Sequence, residues 1–175
     1  MLDLFRFETR LAGAALAALT TFAAAAAEPS RPFKASLEAT HSIGRLTRCP
    51  GVDGQPGPGA TFTAAGRATH LGAVQMHSDH CIILTRESPG TPVHVLDGRM
   101  YWVAANGDLL HAHYAGVFTA DAQGVYTFEG SYYVTGGTGR FSDAGGTGAL
   151  SGTLHGDFPV QSQSLTLSVR GRLSY

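Results

Sequence analysis

The chain carries eight histidines and six tyrosines, and these are the residues with most chemistry to offer. An imidazole can take or deliver a proton near neutral pH, and a phenol can stack and hydrogen-bond. What they do together depends on the face each one occupies. Along a strand, successive side chains point to opposite faces. His41 then shares a face with Phe33, Leu37 and Ile43, and His80 shares one with Val74, Met76 and Ile82. His70 follows Phe62, Ala64, Gly66 and Ala68 on the apolar side of its stretch, and Tyr114, Tyr126 and Tyr132 also fall on apolar faces. If neighbouring stretches pair as hairpins, His41 and His80 lie one strand apart on either side, on the order of 10 Å, from the ~4.8 Å strand spacing. These six side chains form the expected ligand-binding set. They either line a cavity that orients a ligand or moves a proton, or they fill a solid core as satisfied polar groups.

Other chemistries have less support. His111 and His113 put two imidazoles on one strand face, as in many β-barrel metal sites. Zinc needs three or four ligands, and no Glu occurs between Tyr114 and Gly124 to complete such a set. Leu110, Ala112, Tyr114 and Phe118 make the opposite face the core face, so the His pair is expected on the solvent side with no metal. No Gly-x-Ser-x-Gly elbow is present, and no Asp or Glu sits on a clearly apolar face, which leaves paired-carboxylate hydrolysis without residues. Asp143 is expected to cap a glycine-rich connection and to pair with Arg140. Trp102, beside Tyr101, is expected to pack in the wall.

The elements that must position these groups are strands. Period-2 alternation predicts them over residues 33–46, 60–71, 73–85, 92–104, 108–119, 124–135, 146–155 and 162–174. At the C-terminal end, for example, Leu165, Leu167, Val169 and Leu173 alternate with Ser164, Thr166, Ser168, Arg170 and Arg172. Asp97-Gly98 and Asn106-Gly107 read as hairpin dipeptides, and the Pro/Gly-rich run Cys49 to Gly59 reads as a long loop. Sequential strands with short turns favour closure into an all-β, eight-stranded antiparallel barrel, because closure removes exposed edges; a two-sheet sandwich is the alternative.

Residues 1–27 are expected to be a signal peptide. Arg6 and Arg10 precede an uncharged apolar run from Leu11 to Ala26, and Ala25-Ala26-Ala27 fits a small-residue cleavage site. That run is short for a membrane span. The domain is then residues 28–175, exported to the periplasm or beyond, where Cys49 and Cys81 are expected to join. Charged residues make up 14% of the chain, against roughly 25% in an ordinary domain, and the formal net charge is −1. Such a composition argues against a polyanion-binding surface, nucleic-acid binding included, because phosphate neutralisation needs clustered Lys and Arg.

Glycine is abundant, with 23 residues, and its clustering carries a resemblance. The run Gly136-Gly137-Thr138-Gly139-Arg140-Phe141-Ser142-Asp143-Ala144-Gly145-Gly146 is similar to the GGTG-x-F-x-x-A-x-G segment of the allene oxide cyclase and dirigent superfamily. Gly66-Arg67-Ala68-Thr69-His70-Leu71-Gly72, and Ala105-Asn106-Gly107-Asp108 with Tyr114 and Gly116, resemble pieces of its bacterial exported members. The resemblance implies a calycin-like barrel with a hydrophobic interior that acts by its shape, with no metal or organic cofactor. It makes His70 the candidate catalytic residue. The apolar leader, the eight alternating strands and the small interior-facing residues favour an exported binder of a hydrophobic or aromatic small molecule; a cyclase- or dirigent-type enzyme and a cell-envelope protein with a filled barrel are the alternatives. Independently of the family, Gly136, Gly137 and Gly139 suit a tight connection with positive φ, and Phe141 can drop back into the core. Oligomeric state is left open.

Overall fold

A computed structural model describes residues 29–84, 91–155 and 162–175. Residues 1–27, expected to be a signal peptide, lie outside the described residues. Eight strands follow one another: β1 (Arg31–Pro50), β2 (Pro56–Ala68), β3 (Gly72–Leu84), β4 (Val93–Val103), β5 (Leu109–Ala120), β6 (Tyr126–Gly137), β7 (Gly145–His155) and β8 (Ser162–Ser174). Each pairs antiparallel with the next, and β8 returns to β1 to close the barrel. The sandwich alternative is thereby excluded. No helix among the described residues is long and apolar enough to cross a membrane.

Alternation decides the inside. The inward faces are largely apolar, and the core is packed with residues such as Phe33, Leu37, Leu110, Leu150 and Val169, with His41, His80 and Gln163 as its buried polar members among the described residues. Trp102 meets Phe33 edge-on, with ring centroids 5.8 Å apart. Several inward positions are glycine because a neighbouring strand places an aromatic ring over them. Gly98 pairs with Tyr114, and Gly148 pairs with both Tyr132 and Gly171. A Cβ at Gly98 would stand 2.6 Å from the Tyr114 ring, and one at Gly171 would stand 2.5 Å from the Tyr132 hydroxyl. Much of the glycine content therefore serves to seat these rings. Gly98→Ala is expected to destabilise the barrel by ~1–3 kcal/mol through overpacking, as chemical denaturation would measure.

Three local expectations change. Asp97-Gly98 is no hairpin: it lies within β4 at a β-bulge, where register shifts against both neighbours and Asp97 adopts φ 47°. The bulge takes up an extra residue without ending the strand. The Cys49–Gly59 run is mostly strand, since β1 reaches Pro50 and β2 starts at Pro56; Pro50 and Pro56 pair beyond a shift in the β1–β2 register, and Pro58 pairs with Arg45 before it. Arg140 does not pair with Asp143. Its Nε lies 3.8 Å from the Asp108 carboxylate, and Asp143 instead accepts from the Ser142 hydroxyl.

The β6–β7 connection closes one end of the barrel. Gly136 and Gly139 take positive φ, whereas Gly137 does not. Gly137 is needed for close approach: a Cβ there would lie 2.0 Å from the Leu109 carbonyl oxygen. Thr138 accepts the Leu109 N–H through Oγ1 at 2.8 Å. Phe141 is completely buried and plugs this end. Cys49 and Cys81 form a disulfide that ties the end of β1 to β3, the strand beyond its partner β2.

Candidate functional site

The interior brings four of the six expected residues into one region. His41 and His80 are each 1% exposed, and their rings lie 5.9 Å apart, far closer than the spacing of their strands alone implies. Inward side chains of a small barrel converge toward its axis, which a flat-sheet estimate leaves out. His41 stacks on Phe62 at 4.5 Å and faces Phe118 at 5.9 Å. Its register partner on β8 is Gln163. His80 Nδ1 lies 2.8 Å from the Tyr114 hydroxyl, which in turn donates to Ser78 Oγ at 3.2 Å. That order sets the tautomer: Nδ1 carries the proton and donates to Tyr114, leaving Nε2 as an acceptor. His80 Nε2 is buried and has no hydrogen-bond partner among the described residues, and the same holds for the Tyr132 hydroxyl.

Burial sets the charge of these groups. It lowers His80 to about 3, with the His41 and Arg48 charges adding to the effect. It lowers His41 to about 4, partly opposed by a hydrogen bond with Gln163. Both rings are neutral at neutral pH. Burial also drives the Tyr114 phenol far above its ordinary range and pushes Tyr132 up to about 12. The interior is thus an uncharged set of donors and acceptors in an apolar wall. The void it encloses is about 20 Å³, lined by Phe62, Met76, His80, Met100 and Tyr114 among others. That holds roughly one water.

The other expected residues are placed elsewhere. Tyr126 is half-buried at the start of β6 and packs against the core edge. His70 is not on an inward strand face, because β2 ends at Ala68 and the chain turns. His70 occupies that turn with φ 69°. Its Nε2 donates to the Pro32 carbonyl at 2.9 Å, its carbonyl accepts from Arg140, and its ring lies 5.8 Å from Tyr175. It stands at the plugged end, apart from the His41–His80 pair. His111 and His113 point outward, as the alternation requires. His113 stacks on Tyr133 at 5.4 Å, and Tyr101 lies between His77 and His111 beside an open groove of about 400 Å³. Among the described residues no group of three His, Cys, Asp or Glu could hold a metal ion.

Arg48 is the residue that sequence reasoning missed. Its guanidinium bonds the Asp79 carboxylate, the Asp97 carbonyl at 2.8 Å and the Asp97 carboxylate at 2.5 Å, and lies 3.6 Å from Cys81 Sγ. It thereby fastens the β4 bulge to the disulfide beside His80. Three residues so far apart in sequence carry no local signal of this contact.

No protein-family model matches the chain, and no curated protein does. Among solved structures, a pterocarpan synthase dirigent protein is similar at 12% identity, over 87% of this chain and 88% of that chain, with a TM-score of 0.46.

Proposed function

We propose that this small barrel binds a largely apolar or aromatic molecule that carries one hydroxyl or amine donor, received by His80 Nε2. One observation carries the reading: a buried, neutral imidazole faces an apolar void with its acceptor nitrogen unused. A buried polar atom left without a partner carries a free-energy penalty, and native cores rarely leave one without a role. Tyr114 and Ser78 complete the polar lining of the void, and His41 stands beside His80 at 5.9 Å. A guest larger than water needs Met76 and Met100 to swing aside, and Met is the side chain best able to do so. The Cys49–Cys81 disulfide and the apolar leader support an exported location.

Phenol and benzene test the role of Nε2, since they differ by one hydroxyl. Ligand binding raises the unfolding midpoint in proportion to affinity. Phenol is expected to raise it more than benzene in the native protein, and His80→Phe is expected to erase the difference. A midpoint unmoved by either compound favours the second reading, a filled structural barrel, for which the one-water void is the supporting observation. In the enzymatic variant of the first reading, His80 Nε2 also receives a substrate proton, and product formation separates the two.

A further inference from the structure

We infer that the exterior face of β2, β1 and β8 near the plugged end binds an anionic polysaccharide. Lys34, Arg67, Arg170 and Arg172 are far apart in sequence, and strand register gathers them. Lys34 on β1 pairs directly with Arg170 on β8. Arg67 on β2 pairs with Ser36, two residues along β1 from Lys34, and Arg172 pairs with Pro32, two residues the other way. All four are exposed. Side chains directly opposite on antiparallel strands sit about 5 Å apart at Cβ, and like charges there are destabilising.

The other described cations are provided for. Arg48, Arg99 and Arg140 are ion-paired, Arg45 donates to the Pro56 carbonyl, and Arg31 lies over the Tyr175 ring. The four on this face have no carboxylate within ion-pair distance among the described residues; Arg172 reaches only Ser30. The nearest acid along β1 is Glu38, two residues beyond Ser36. An uncompensated like-charge cluster on a chain of net charge −1 is a cost that an external anion would relieve.

The surroundings select the anion. An open groove of about 430 Å³ runs over Lys34, Ser36, Arg67, Thr69, Ser168 and Arg170. Its neutral polar groups are hydroxyls, which match those of a sugar chain. No aromatic ring lines it for base stacking, which single-stranded nucleic acids use. The large exposed hydrophobic residues among the described ones, Val52, Ile83, Leu96, Tyr101, Val125 and Tyr133, lie outside it, so nothing there would insert into a bilayer.

Heparin, a sulfated polysaccharide, is the probe, with duplex DNA and phosphatidylglycerol vesicles as comparison arms. The protein is expected to bind heparin at ~50 mM salt and to lose affinity on the order of 10²-fold by ~200 mM, as release of counterions from about four contacts predicts. Lys34→Gln/Arg170→Gln is expected to weaken binding at least about tenfold and to halve the salt slope. This variant removes the like-charge pair, so its unfolding midpoint is expected to hold or rise. Glu38→Gln should tighten binding, and Arg45→Gln, whose residue does not line the groove, should leave it unchanged. Absence of heparin binding at ~50 mM salt, equal weakening by Arg45→Gln, or tighter binding to DNA or vesicles would overturn the assignment.

Discussion

Acidification from pH 6.5 to pH 4 is expected to strip the folded barrel of stability at up to ~1.4 kcal/mol per pH unit for each of His41 and His80. The cause is their burial. In the unfolded chain each imidazole titrates near 6.5, whereas in the barrel burial holds His41 to about 4 and His80 to about 3. Across that window the unfolded state binds the protons and the folded state does not. Stability therefore rises with pH through the window and is lost as pH falls through it. Above 6.5 the contribution is fully present, and below about 3 no more is lost through these two groups. The slope in denaturant titrations at a series of pH values reads the number of protons involved. His41→Phe keeps a ring to stack on Phe62 and removes one titrating group, so it should roughly halve the slope. A variant with the native acid limb would show that His41 is not held neutral by the fold.

Loss of the Cys49–Cys81 bridge is expected to cost ~3–4 kcal/mol, from closure of a loop of 32 residues in the unfolded chain. The bond also has a local task. It joins the end of β1 to β3 beside His80, where Arg48 binds both carboxylates that flank the bulge. Cys49→Ala/Cys81→Ala should unfold at markedly lower urea than the oxidised protein, and reductant should bring the native chain to the same midpoint. A difference below ~1 kcal/mol would mean that the reduced, unfolded chain stays as restricted as the oxidised one.

The two effects meet in one region, which bears on the proposed function. A protein that only needed a stable barrel would do better with apolar residues at 41 and 80. Retaining two buried imidazoles makes the fold acid-sensitive, and the unused Nε2 of His80 is what that sensitivity accompanies. The small void sets the opposing consideration: the interior must rearrange at Met76 and Met100 before anything larger than water enters.

Much of this was legible in the sequence because strand alternation is a local rule. Period 2 by itself put His41, His80, Tyr114 and Tyr132 inside and His111 and His113 outside, and it located all eight strands to within a few residues. A single cysteine pair left one possible bridge. His70 escaped the same rule because alternation holds only while the chain stays extended, and β2 stops two residues before it. Asp97-Gly98 has the composition of a hairpin, and only pairing on both sides made it a bulge. Tertiary structure alone decided the rest. The approach of His41 to His80 comes from convergence inside a closed barrel. Arg48 meets Asp79 and Asp97, and Lys34 meets Arg170, through cross-strand register, a relation between distant segments that no window along the chain contains. The size of the void was likewise undecidable from composition, since it depends on how rings from different strands settle over the glycines opposite them.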